Sequence, residues 1–302
     1  MPSRALVVAA LSVAAAFTVP VREDRGRPVI LMVHGRGMGD RDTAALRSLW
    51  LGGLNAGAKS VAKQTLIADR DVRLVWYADV LDRQLTEGCE YSSDDPRAHR
   101  DATSDPELKS FVSMVGNVLG ALTTLVSDKE SATELRSLSG DASFLSDSHK
   151  RCAAEQRLAD AIARAAREGR PVIVVAHSLG SLVAYDYLTS RRDSGTVQRV
   201  VSVGSPLGSS DLRHLLIGGD STESFALPRS VATWINIRSA ADPFAMPLSI
   251  GRDIVTATPA DEPDAHEMVG YLRNPVTAGA ILGGWCAAFV GPAPAGCAEV
   301  PR

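Results

Sequence analysis

The hydroxyl best placed to do chemistry is that of Ser178, in the run Ala176-His177-Ser178-Leu179-Gly180. The apolar stretch Pro171–Ala176 before it reads as a buried strand, and the apolar segment after it reads as a helix that starts at once. A strand that bends directly into a helix forces the residue at the bend into strained backbone angles and projects its side chain from the sheet edge. The helix N-terminus adds N–H groups and a dipole that favour negative charge developing nearby. Close passage of helix over strand requires small neighbours. Gly180 meets that need, while Ala176 adds a methyl two residues before the serine. The chemistry on offer is nucleophilic attack on a carbonyl, provided a histidine base and a carboxylate reach the same point. A serine merely capping a helix after a buried strand would explain fewer of these features.

With strand, bend, Gly180 and helix in order, the segment resembles the nucleophile elbow of the α/β-hydrolase superfamily, most closely that of its lipase and esterase branches. The resemblance implies the chain order serine, acid, histidine. Of the six histidines, His34, His99 and His149 precede Ser178, and His177 is its neighbour, with a side chain pointing elsewhere. His214 and His266 remain. His214 follows the run ending at Val203 too closely, within the helix-like Asp211–Leu216. His266 lies in the loop Asp264–Leu272, after the strand-like Asp253–Ala257, and is similar to the late histidine loop of many lipases. The expected acid is Asp242, in the turn Ser239–Pro243 off the strand Ala232–Arg238, where a parallel sheet delivers loops to a site. Asp211 is the rival, where some members of the superfamily carry theirs.

Attack on a carbonyl also needs two aligned N–H donors for the oxyanion. The resemblance implies Leu179 for one and, in the loop His34–Asp40 after an early buried strand, Arg36 for the other, with Gly37 as fallback. His34 reads as a structural anchor of that loop. The spacing Gly35, Gly37, Gly39 is also a broken dinucleotide fingerprint, whose third glycine should fall one position later. Ser60 and Lys63 match a Ser-x-x-Lys pattern without its companion motifs, which suits an ordinary helix surface. Gly204-Ser205-Pro206 is similar to a turn that often lines the site in lipase-like hydrolases.

The elements that must position these residues are legible too. Val29–Val33, Pro171–Ala176 and Val197–Val203 are continuous or nearly continuous apolar runs, as expected of strands buried on both faces of a parallel sheet. Arg73–Tyr77, Ala232–Arg238 and Asp253–Ala257 extend the series, and Ala153–Glu168 reads as a helix ended by Gly169. Strand and helix alternate, so the expected class is α/β: a doubly wound, mostly parallel sheet across residues 28–302. Residues 83–150 break the pattern. They open polar and continue with Phe111, Val115, Leu119, Leu122 and Val126 at helical spacing, which predicts a helical cap insertion.

Length, charge and cysteines narrow the class. The 302 residues carry 32 Lys+Arg against 35 Asp+Glu, a net charge of −3, which excludes the basic surplus of a typical nucleic-acid binder. Arg4 followed by the short apolar run Ala5–Val19 predicts a cleavable signal over residues 1–19, hence a secreted or periplasmic protein. Four cysteines in an exported chain favour two disulfides. Three connectivities are open, and sequence proximity favours Cys286–Cys297 with Cys89–Cys152.

These readings converge on a serine hydrolase cleaving a carboxylic ester of a small molecule or lipid, with transient contact at a lipid surface, through Ser178, Asp242 and His266. The mechanism calls for no cofactor and no metal. Lipase, esterase, thioesterase and amidase share this apparatus. A catalytically silent protein of the same fold, binding an apolar ligand or partner, and a dinucleotide-binding oxidoreductase are the readings from other classes.

Overall fold

The computed structural model describes residues 24–82, 89–95, 97, 143–191, 196–209, 212, 216, 225–259 and 261–301. Six strands form one sheet: β1 (Val29–Val33), β2 (Val72–Val75), β3 (Val172–His177), β4 (Val197–Val203), β5 (Trp234–Ser239) and β6 (Arg252–Thr256). The order is β2-β1-β3-β4-β5-β6, and every pairing is parallel. Each of the six expected strands is present, β1 and β4 with the expected ends and the other four displaced by one or two residues.

β1 shows why its sequence is uniformly apolar. Val29, Leu31 and Val33 pack on one side with α3 (Ser148–Arg167) and α4 (Leu179–Ser190), through Leu158, Ile162 and Leu182. Ile30 and Met32 pack on the other, against α1 (Thr43–Ala62), α5 (Met268–Arg273) and α6 (Pro275–Ala287), through Trp50, Leu272 and Trp285. Both faces are covered, so no position on the strand can be polar. A short helix α2 (Ala78–Asp82) follows β2. The order reverses beside β1, and loops from the C-terminal ends of β1, β3, β4 and β5 meet there.

Helix α3 begins five residues earlier than its apolar spacing indicates. Asp147 supplies the reason: its carboxylate accepts from the His149 and Lys150 amides and caps the N-terminus. Gly169, at φ +68°, follows the other end. The helical pattern Phe111–Val126, the rival acid Asp211 and His214 lie outside the described residues, as does the N-terminal apolar run. Among the described residues no helix is long and apolar enough to cross a membrane.

Both disulfides favoured by sequence proximity are formed, Cys89–Cys152 and Cys286–Cys297, and no described cysteine is free. The first spans 63 residues and the second 11. Chain-entropy reasoning puts their constraint on the unfolded state at about 4 and about 3 kcal/mol respectively. Such bridges fit an extracellular location.

Helix α1 offers a test of the packing. A methyl on Gly57 would lie 2.5 Å from the Leu272 carbonyl oxygen and 2.8 Å from the Ala278 Cβ, whereas one on Gly52 would meet nothing within 4 Å. Intrinsic propensity favours alanine at both by about 0.8–1 kcal/mol. Gly52→Ala is therefore expected to raise the thermal midpoint by about 1–3 °C. Gly57→Ala is expected to lower it, because backbone and a neighbouring helix cannot give way. Calorimetry on the two variants checks this, and an equal rise in both would contradict the packing described.

Candidate active site

Ser178 occupies the single residue between β3 and α4, at φ 50° and ψ −125°. Only one other described non-glycine residue has positive φ, Lys63 at the end of α1. A backbone there costs on the order of 1–3 kcal/mol and persists only if its surroundings fix it. They do. A Cβ on Gly180 would lie 2.5 Å from the His34 carbonyl oxygen and 2.7 Å from that of Val33, so helix α4 presses directly on the end of β1. Gly35 closes from the other side, where a Cβ would lie 2.9 Å from that of Ser178. The Ser178 amide donates to the Val203 carbonyl at 3.1 Å. The methyl of Ala176 packs into the core beside β1, so the departure from glycine is accommodated.

Ser178, Asp242 and His266 come together at the C-terminal edge of the sheet. The Ser178 hydroxyl oxygen is 2.9 Å from His266 Nε2, and His266 Nδ1 lies 3.0 and 2.9 Å from the two oxygens of Asp242. An ionised carboxylate can only accept, so Nδ1 carries the proton and Nε2 is left as acceptor for the serine hydroxyl. That is the tautomer a general base requires. The His266 loop is shaped by Asp264, whose carboxylate accepts from the His266 amide at 2.8 Å, and α5 begins two residues later.

Asp242 sits in the turn off β5, buried, with its own amide donating to Ser239. Burial pushes its carboxyl upward. The hydrogen bonds donated by His266, the Tyr271 hydroxyl and the Phe244 amide outweigh burial and hold it below the usual carboxylate range. The Phe244 amide donates to Oδ1 at 2.9 Å, and the Tyr271 hydroxyl donates to Oδ2 at 2.7 Å. Gly204, at φ +56°, lies against the pair: a Cβ there would stand 3.0 Å from Asp242 Oδ2 and 3.2 Å from His266 Nδ1. The Gly204-Ser205-Pro206 turn thus borders the site, and Ser205 Oγ lies 2.6 Å from Ser181 Oγ beneath the elbow.

The two residues expected to donate to an oxyanion flank Ser178 on different elements. Leu179 opens α4, and Arg36 lies between Gly35 and Gly37 on the loop after β1. The Arg36 guanidinium is 4.4 Å from the Phe244 ring centroid, and that ring is 4.7 Å from the His266 ring. His34 holds the loop from below. Its Nδ1 donates to the Gly35 carbonyl at 2.5 Å, its Nε2 accepts from the Tyr77 amide at 3.1 Å, and its ring stacks on Tyr77. The His177 side chain turns away from Ser178 and donates through Nε2 to the His266 carbonyl at 2.7 Å.

Tyr271, Phe244 and the His177 contact were not singled out in the sequence. Tyr271 had a signal available, since a buried tyrosine hydroxyl on an otherwise apolar helix needs a partner. Ser60 and Lys63 lie at the exposed end of α1, where the lysine amine donates to the Ser60 carbonyl. Among the described residues no group of three or more His, Cys, Asp or Glu side chains could hold a metal ion. The open groove of about 880 Å³ at the β2 edge includes neither Ser178, Asp242 nor His266, and three of its six arginines, Arg47, Arg73 and Arg157, are paired with Asp69, Glu168 and Asp79.

Two neutral imidazoles are built into this arrangement. Burial pushes His34 down to about 4, and burial, with the Arg36 guanidinium adding to it, pushes His177 down to about 3. Both values lie below the ordinary histidine value, so the unfolded chain binds protons that the folded chain does not. The stability is fully present above about pH 6.5 and is lost as pH falls towards the folded values. By pH 4.5 each histidine is expected to cost about 2–3 kcal/mol. Urea midpoints measured from pH 7.5 to 4.5 should fall with a slope near two protons, and a flat profile would contradict buried neutral rings.

Residues 155–281 match the family model of lecithin:cholesterol acyltransferase, a span running from α3 through the elbow, Asp242 and His266 into α6. It covers less than half of the chain and excludes β1 with its loop. No curated protein and no solved structure matches. Parallel sheet and covering helices make this an α/β fold, and the matched segment, elbow included, is similar to a family that belongs to the lipase-like branch of the α/β-hydrolase superfamily.

Proposed function

We propose that the chain is an exported serine hydrolase acting on a carboxylic ester of a lipid or small molecule, with Ser178 as nucleophile, His266 as general base and Asp242 as the acid that orients it. The observation that carries this reading is the continuous chain of contacts from Ser178 Oγ to His266 Nε2 at 2.9 Å and from Nδ1 to Asp242. His266 takes the serine proton as Oγ attacks the ester carbonyl. The oxyanion is received by the Leu179 and Arg36 amides. Collapse breaks the bond to the alcohol, which leaves with the proton held by His266, and an acyl-enzyme remains on Ser178. A water deprotonated by the same imidazole releases the acid and restores the serine. The match to an acyltransferase family supports an alcohol as a second acyl acceptor beside water.

The family match also supports a lipid ester as substrate, docked at a lipid surface, and the apolar helical spacing from Phe111 to Val126 supports residues 83–150 as a cap over the site. Two disulfides support export, directed by residues 1–19 as a cleaved signal. The reaction as drawn uses no cofactor or metal, and nothing in it calls for nucleic acid.

Incubation of the purified mature protein with a fluorophosphonate is expected to give a stoichiometric adduct on Ser178, located by mass spectrometry and missing from Ser178→Ala. That variant should lose about 10⁴–10⁶ in turnover of a nitrophenyl ester. A folded wild-type protein that stays unlabelled in detergent as well as in buffer would overturn the reading and favour the silent, ligand-binding alternative.

A further inference from the structure

We infer that Tyr271 is a positioning residue of the proposed triad: its hydroxyl fixes the orientation of the Asp242 carboxylate towards His266 and ties that carboxylate to the same helix that follows the His266 loop. The inference rests on the reading of Ser178, Asp242 and His266 given above. Its basis is geometric. The Tyr271 hydroxyl donates to Asp242 Oδ2 at 2.7 Å while accepting from the Ser239 amide at 2.9 Å. One oxygen thus bridges the last residue of β5 and the acid three residues further on. Tyr271 and Asp242 are both buried, so water cannot substitute for either contact.

Tyr271 also lies five residues after His266, in α5. Base and acid, carried by different strands' loops, are therefore fastened to one another a second time through this helix. Burial and the neighbouring Asp242 charge both raise the phenol, so it remains protonated and can only donate to the carboxylate. A bond donated to Asp242 draws charge away from the oxygen pair that holds His266 Nδ1. Removing the donor leaves a more strongly accepting but less firmly oriented carboxylate. The other charged or titratable groups facing this pair are His177 from β3, Arg36 from the loop after β1, and Asp264 and Glu267 from the histidine's own loop.

The experiment compares wild type, Tyr271→Phe and the protein carrying 3-fluorotyrosine at position 271, whose more acidic hydroxyl is a stronger donor. Tyr271→Phe is expected to lower kcat about tenfold with KM unchanged, since Tyr271 does not reach substrate. The acid limb of kcat/KM should move up by about half a pH unit, and the fluorinated protein should move it down. The downfield proton resonance of His266 Nδ1–H, recorded without any ester, should shift in opposite senses in the two proteins. Activity that falls only in step with the thermal midpoint, with the limb and the resonance unmoved in both proteins, would overturn the inference. If the resonance responds but wild-type Ser178 refuses the fluorophosphonate, the positioning role stands and the hydrolase reading fails.

Discussion

The site depends on one close approach, that of the first turn of α4 to the end of β1. Ser178 holds φ 50° because it has nowhere to relax: Gly180 lies against the Val33 and His34 carbonyls, and Gly35 against Ser178 itself. Both sides of this contact are buried strand or helix, and α4 is buried along its length from Leu179 to Leu188. A rigid interior transmits such a contact without slack. The strain at one residue is therefore borne by the whole α/β sandwich, and the side chain at the bend gains a fixed direction.

Three histidines within this small region illustrate how surroundings assign different tasks to one side chain. His34 is saturated, donating to Gly35 and accepting from Tyr77, and serves the loop. His177 spends one nitrogen on the His266 carbonyl, and its Nδ1 has no partner among the described residues, a cost of about 1–3 kcal/mol by the usual penalty for a buried polar atom. His266 alone has one nitrogen on a carboxylate and the other on a hydroxyl. Proton-transfer chemistry requires that last arrangement. The first two support it by being neutral and immobile, which keeps positive charge from accumulating beneath the elbow.

Much of this was legible in the sequence, for a physical reason. Strands buried on both faces must be apolar throughout, so β1, β3 and β4 stand out, and a tight helix–strand contact demands Gly180. Asp242 and His266 could be placed because a parallel sheet delivers its loops to one edge and the resemblance to α/β-hydrolases implies the chain order serine, acid, histidine. Contacts that depend on the direction of a side chain were less legible. Tyr271 reads as one more core residue of an apolar helix until its hydroxyl is seen between Ser239 and Asp242, and Phe244 reads as a loop residue until its amide is found on Oδ1. Asp147 was missed because its cap lies outside the apolar pattern that marks α3.

Residues 89–95 and 97, within the span whose sequence predicts a cap, are joined to the same framework. Cys89 is bonded to Cys152 on α3, the Cys89 carbonyl is 3.0 Å from His149 Nδ1, and the Tyr91 hydroxyl and Arg97 guanidinium both reach Glu155 one turn further along. Glu155 is buried, and burial together with the nearby Asp186 of α4 raises its carboxyl well above the usual range. A buried carboxyl of this kind is tolerated only when hydrogen-bonded and compensated, which Tyr91 and Arg97 provide. Asp186 lies on the helix that begins one residue after Ser178. Residues 89–95 and 97 are therefore covalently and electrostatically fastened to α3, and through the Glu155–Asp186 carboxyl pair to helix α4. Their position relative to Ser178 is thus set by α3 and α4, the body of the fold.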